Sequence, residues 1–354
     1  MKHALKILSI DGGGIKGILP SVILTEVERR TGQPIHKLFD VVAGTSTGGI
    51  LAMGLCKAAP LSAKEMLSLY QKEGESIFTK RKKNFLSRLG SRFGSAGGSA
   101  TQMAYDIAGI EQVLDRYFGK SRLSTAQTNL LVTSHDVEKG MPFYFSSRLA
   151  KINPKEEDFE MKEVARSTSA APTYFEPNIL SGQGESDMVL VDGGVFANNP
   201  STLAYAEAKE IWKQRREIIL PSMPTEDAKG YVAVVTPDDL DLPFYMLSLG
   251  CGFAPTTVRA KDSAKWNAFK WFEPLMADIF MRSVSESVHY SMQHLMPPYT
   301  DHSPRYERLD MEIPEKCREM DNASKENIEA LVKTAELYVK MKSAEIDGIC
   351  EIIG

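Results

Sequence analysis

Three short turns carry residues whose types and spacing could do chemistry. The first is Gly44-Thr45-Ser46-Thr47-Gly48, which follows an apolar run containing Val41 and Val42 and precedes the small, apolar segment 50–55. That order predicts strand, tight turn and helix. Gly44-x-Ser46-x-Gly48 has the spacing of a nucleophile elbow, in which a serine sits on a strained turn above a helix N-terminus and flanking glycines let strand and helix close up. The second turn is Gly12-Gly13-Gly14, whose amides are unobstructed by side chains at the start of a helix and therefore suit an anion. It lacks G-x-x-x-x-G-K-[ST], which argues against a nucleotide hydrolase. Two readings stay open, an oxyanion hole and a structural turn. The third is Asp192-Gly193-Gly194, a carboxylate at the end of an apolar run. A serine nucleophile needs a base for its proton and amides for the oxyanion, and the three turns contain both.

The elements around them follow from hydrophobic periodicity. Residues 4–10 predict a strand and 18–30 a helix, giving a first β-α unit, with the Ser46 elbow as the second. A helix is expected over 62–76, with Ser62 as N-cap and Glu65 three residues on. Residues 107–118 predict an amphipathic helix, and 130–135 with 142–146 a strand pair. The small-residue segment 164–175 must end any helix near Ala171, ahead of Pro172, and suggests close packing under a site. A strand at 188–191 leads into Asp192, placed at the C-terminal edge where open parallel sheets bind ligands, and a helix follows at 199–215. Residues 244–250 predict a late strand, 306–313 an edge strand and 325–346 a helix. No internal repeat or convincing linker divides the chain, so residues 1–354 are expected to form one domain.

Composition bounds the rest. Hydrophobic residues at 43% and charged residues at 25% are ordinary for a globular protein. A formal charge of −4 gives no global pull toward nucleic acid polymers. The four cysteines are scattered, without metal-ligand spacing, and are expected to be reduced thiols. No apolar run approaches the roughly 18 residues of a membrane span, so a cytoplasmic protein with at most peripheral membrane contact is expected. Two segments stand apart. The basic stretch 80–92 with the glycine- and serine-rich 90–100 suits a solvated loop, a lid or a contact for lipid head groups. The aromatics and methionines of 265–296 suit core packing, a dimer face, an acyl-chain channel or a membrane-facing helix.

Taken together, Asp11-Gly12-Gly13-Gly14-Ile15-Lys16-Gly17, Gly44-Thr45-Ser46-Thr47-Gly48 and Asp192-Gly193-Gly194 resemble, in that order, the motifs of the patatin-like phospholipase family. The block 165–172 and Leu247-Ser248-Leu249-Gly250 add to the likeness, which covers roughly residues 4–252. The resemblance implies an α/β fold, a three-layer α/β/α sandwich with a mostly parallel central sheet. It also implies a phospholipase A-type acyl hydrolase with a Ser-Asp dyad: Ser46 as nucleophile, Asp192 as base, and Gly12, Gly13 and Gly14 as the oxyanion hole. Gly17, Gly44, Gly48, Gly193 and Gly194 complete the motifs, and Lys16 stands where the family more often has arginine, keeping the charge but losing the bidentate fork. No metal or cofactor is needed for such chemistry. The order Ser…Asp…His is also formally available through His289, His294 and His302. Expected partners are a phospholipid membrane surface, a second copy of the chain, and, by similarity to bacterial patatin-like effectors of anti-phage signalling, a cyclic dinucleotide activator. A general esterase, or a non-catalytic scaffold binding a partner through its C-terminal aromatic segment, is the alternative.

Overall fold

In the computed structural model, which describes residues 5–81, 103–181, 187–219, 242–255 and 281–354, the apolar runs pair into one eight-stranded sheet. Its strands are β1 (Leu5–Ile10), β2 (Val41–Thr45), β3 (Asn129–Asp136), β4 (Met141–Ser146), β5 (Asn178–Leu180), β6 (Met188–Asp192), β7 (Phe244–Leu249) and β8 (Tyr306–Leu309). They lie in the order β5-β6-β3-β2-β1-β7-β8, with β4 paired to β3. The sheet is mixed, with the expected parallel pairing through its main run. The run from β3 through β2, β1 and β7 to β8 is parallel, while β4, β6 and β5 join antiparallel. The late strand β7 is internal, between β1 and the edge strand β8.

Strand alternation divides the core into two layers. Leu8, Ile10, Val42, Leu130, Val132, Tyr245, Leu247 and Leu249 face one side, and Leu5, Ile7, Val41, Ala43, Leu131, Phe244 and Met246 face the other. Strands buried on both faces read as continuous apolar runs, which is why they are visible in the sequence. The first layer is covered by α1 (Ile18–Thr31), α2 (Thr47–Cys56), α3 (Ala63–Ile77), α4 (Ile107–Phe118) and α5 (Met161–Thr168). The second is covered by α6 (Ser201–Ile219) and α7 (Met281–Leu295). α8 (Lys325–Met341) and α9 (Ser343–Ile353) return to the first layer.

Local signals set several boundaries. Ser62 and Glu65 close a reciprocal capping box at the start of α3, and Gly32, at φ 66°, ends α1 in the left-handed region. α6 begins at Ser201 rather than 199, because the Asn199 carboxamide oxygen accepts the Ser201 amide at 3.0 Å and caps the helix from outside. The single helix expected over 325–346 is two, broken at Lys342, whose φ −96° and ψ 19° leave helical geometry. Of the basic stretch 80–92 only Lys80 and Arg81 lie within the described residues, where Arg81 pairs with Glu176 at 2.7 Å. The proline-rich 217–243 also lies largely outside them, as does the first half of the aromatic 265–296; residues 281–296 of the latter are described.

Candidate active site

The nucleophile elbow forms as its glycines predict. Ser46 has φ 53° and ψ −122°, a conformation that L-residues rarely adopt, and it opens α2. A methyl group on Gly48 would collide with the Ile10 carbonyl, and one on Gly44 with the backbone of Gly48. α2 is apolar all round and wholly buried, so the elbow stands on a tightly packed base. The Ser46 amide donates to Thr168 Oγ1 at 2.9 Å, and the Thr168 hydroxyl donates to the Thr133 carbonyl at 2.7 Å.

Asp192 reaches Ser46 by a route the sequence does not suggest. β3 runs on past the end of β2, whose last pair is Thr45 with Thr133. β6 docks antiparallel on that overhang, pairing Asp192 with Ser134. The carboxylate thus arrives one register step from the nucleophile on a strand running against β2, and the parallel-edge argument is corrected to this one. The Asp192 amide donates to the Ala170 carbonyl at 3.0 Å. Residues 168–170 therefore hold both the nucleophile and the carboxylate, a role that the small-residue pattern only hints at.

Asp192 is 5% exposed. Burial pushes its carboxyl up from an ordinary 3.8 to about 6, against the opposing pull of the nearby Ser46 hydroxyl and the Gly194 amide. The Gly194 bond is 2.7 Å long. Gly193 has no room for a side chain against Thr133. The five described histidines take no part: His289 meets the Tyr306 hydroxyl at 3.1 Å and His294 the Tyr290 carbonyl at 2.8 Å. Neither these nor His36, His135 or His302 hydrogen-bonds to Ser46 or Asp192 among the described residues.

The glycine turn is placed beside Ser46, with Gly12 packed against the serine Cβ and Thr45. Its three amides are not equivalent. Gly12, expected to line the oxyanion hole, has its N–H donating to the Asn198 carbonyl at 3.0 Å, so that amide is engaged within the fold. Ile15 N–H donates to the Met320 carbonyl at 2.8 Å. Between these anchors, the Gly13 and Gly14 amides have no acceptor among the described residues. Gly14 has φ 60° and lies against the Met320 carbonyl. Lys16 follows in the turn Gly14–Gly17, and Gly17 packs on Thr47.

A cavity of about 70 Å³ opens beyond the turn, lined by Asp11, Gly13, Lys16, Asn198, Arg282 and Arg308 among others. Asp11 is buried and pushed up to about 6 by desolvation, with Arg308 pulling it back. Asn198 and Arg308 are the site's residues that motif reasoning missed; Asn198 had a signal in the Asn198-Asn199-Pro200 run that follows the Asp192 turn, and Thr168 and Ala170 lie in the small-residue segment 164–175 already expected to pack under a site.

Residues 8–205 match the family described as patatin-like phospholipase. The chain is similar to Patatin-like protein 2 of Oryza sativa subsp. indica, at 30% identity over 96% of this chain and 85% of that protein. It is similar to Patatin-like protein 2 of Arabidopsis thaliana, at 29% identity over 98% and 85%. A Solanum tuberosum relative, named Probable inactive patatin-3-Kuras 1, is 31% identical over 79% of this chain and 71% of its own length. The chain belongs to the patatin-like phospholipase family.

Proposed function

We propose that the protein is an active lipid acyl hydrolase, cleaving ester-linked acyl chains of membrane phospholipids through Ser46 and Asp192. The observation that carries the reading is the buried contact between the Ser46 hydroxyl and an Asp192 carboxyl pushed up to about 6, at a strained elbow. A carboxylate with that affinity for a proton is a competent base near neutral pH. Ser46 Oγ attacks the ester carbonyl while Asp192 takes its proton, and the oxyanion is held by the Gly13 and Gly14 amides above the α2 N-terminus. The tetrahedral species collapses as Asp192 returns the proton to the leaving alcohol. Water then repeats the sequence on the acyl-serine and regenerates the enzyme.

The family includes a relative named as inactive, so competence is tested directly. A fluorophosphonate is expected to label Ser46, and phospholipid vesicles and a short-chain ester are expected to be hydrolysed by the wild-type chain but not by Ser46→Ala. A folded wild-type sample that neither labels nor turns over, with or without cyclic dinucleotides, would favour the scaffold reading instead. Activation by a cyclic dinucleotide remains part of the proposal. Turnover measured with a panel of these nucleotides is expected to rise with one of them; constitutive turnover without nucleotide binding removes that element alone.

A further inference from the structure

The segment 308–320 lies outside residues 8–205, which match the family, yet it clamps the glycine turn. The Asp11 carboxylate, next to Gly12, receives Arg308 Nη1 at 3.2 Å and Nη2 at 2.7 Å. Both side chains are buried, at 5% exposure for Arg308 and 3% for Asp11. Arg308 is itself held: Nη1 donates to Ser248 Oγ at 2.8 Å and Nη2 to Asp310 Oδ2 at 3.1 Å. Asp310 in turn accepts the Gly252 and Met311 amides at 2.9 and 3.0 Å. The Ser285 hydroxyl lies near enough to the Asp11 carboxyl to pull its pKa down. The Ser285 oxygen accepts Asn198 Nδ2 at 3.1 Å, and the Asn198 carbonyl is the acceptor of Gly12 N–H. The turn is thus fixed on one side by Asn198 and on the other by Met320, with the two unengaged amides of Gly13 and Gly14 between.

A buried ion pair is poor evidence of stabilisation, because removing two charges from water costs about as much as their attraction returns. What a bidentate, doubly supported guanidinium does supply is direction. We infer that Arg308 is a positioning residue for acyl transfer: through Asp11 it sets where the Gly13 and Gly14 amides point, so the C-terminal third completes the oxyanion hole. This rests on the acyl-hydrolase reading above. Arg308 touches neither Ser46 nor Asp192 and is not a catalytic residue.

The test compares wild type, Arg308→Lys, and the double variant Asp11→Asn/Arg308→Met, which removes both charges together and so avoids an uncompensated buried carboxylate. Turnover of a soluble short-chain ester is normalised to Ser46 sites titrated with a fluorophosphonate, and melting is followed in parallel. Loss of one oxyanion donor typically costs roughly 10²- to 10³-fold in kcat; misdirected donors are expected to cost about tenfold or more per titrated serine, with KM within about twofold. A kcat loss in the double variant at unchanged melting temperature supports positioning. Wild-type kcat per titrated serine in both variants overturns it, whatever their stability, because a purely structural pair alters the number of active sites and not their rate. A wild-type chain that is itself unlabelled and inactive overturns the acyl-hydrolase reading, and this inference with it.

Discussion

Replacing Asp192 by asparagine is expected to abolish activity and at the same time strengthen the fold. Burial holds the Asp192 carboxyl at about 6 instead of 3.8, and a difference of that size corresponds to roughly 3 kcal/mol against the ionised form. Because the folded-state value lies above the ordinary one, the penalty is absent below about pH 4, builds between about pH 4 and 6, and keeps its full size above that. The substitution alters little else: a carboxamide oxygen can still accept the Gly194 amide that Asp192 accepts at 2.7 Å. Denaturant unfolding at pH 8 should therefore show Asp192→Asn more stable by up to about 3 kcal/mol, with the gain vanishing near pH 4. Asp11, also near 6, is present in both proteins and cancels in the difference. In the wild type, kcat/KM on a soluble ester should follow the ionised fraction and fall about tenfold from pH 7 to pH 5. Cosolvent distinguishes this from a histidine base. Lowering the polarity of the medium raises the pKa of a neutral acid that ionises to an anion and lowers that of an imidazolium, so the acid limb should move up. A downward shift, an acid limb that survives in Asp192→Asn, or destabilisation of that variant at pH 8 would refute the reasoning.

The strain at Ser46 gives a second expectation. With φ 53°, Ser46→Gly should unfold at higher denaturant than Ser46→Ala by ~1 kcal/mol, the relief of backbone strain exceeding glycine's greater chain entropy; both should be inactive. Thr168→Val leaves the buried Ser46 amide without its 2.9 Å acceptor. It should cost ~1–3 kcal/mol in urea unfolding and lower kcat more than KM. Gly48→Ala forces a methyl onto the Ile10 and Asp11 carbonyls, and should give no soluble, fluorophosphonate-reactive protein, whereas Gly348→Ala, where a methyl meets nothing within 4 Å, should behave as wild type in the same labelling assay.

What was legible in the sequence was what local chemistry dictates. Gly44-x-Ser46-x-Gly48 was readable because the elbow makes its demands residue by residue, a strained φ at one position and no Cβ at two others. The buried strands were readable because apolar runs admit few alternatives. Strand direction was not: Met188–Asp192 is five residues that would look the same parallel or antiparallel, and its orientation is decided by the overhang of β3. Nor could spacing show that Gly12 N–H is consumed by Asn198. The Arg308–Asp11 pair joins residues 297 positions apart in the chain, and an arginine on a short edge strand carries no local mark of its partner. The break at Lys342 likewise has neither glycine nor proline to announce it.

The reversal of β6 has a consequence for how the dyad keeps its geometry. Nucleophile and base stand on strands that do not pair with each other: β2 and β6 lie end to end on the edge of β3 opposite β4, meeting at Thr133 and Ser134. Sheet pairing therefore fixes their relative height but leaves the bridging to something else. That bridge is the end of α5 and the residues after it: Thr168 holds the Ser46 amide, and the Ala170 carbonyl holds the Asp192 amide, two residues apart in one chain segment. A segment that must pass under both without displacing either has room only for small side chains, which accounts for Ser167-Thr168-Ser169-Ala170-Ala171. Enlarging Ala170, 0% exposed in this bridge, should then separate base from nucleophile and depress kcat while leaving the Ser46 elbow, held by its own glycines, intact.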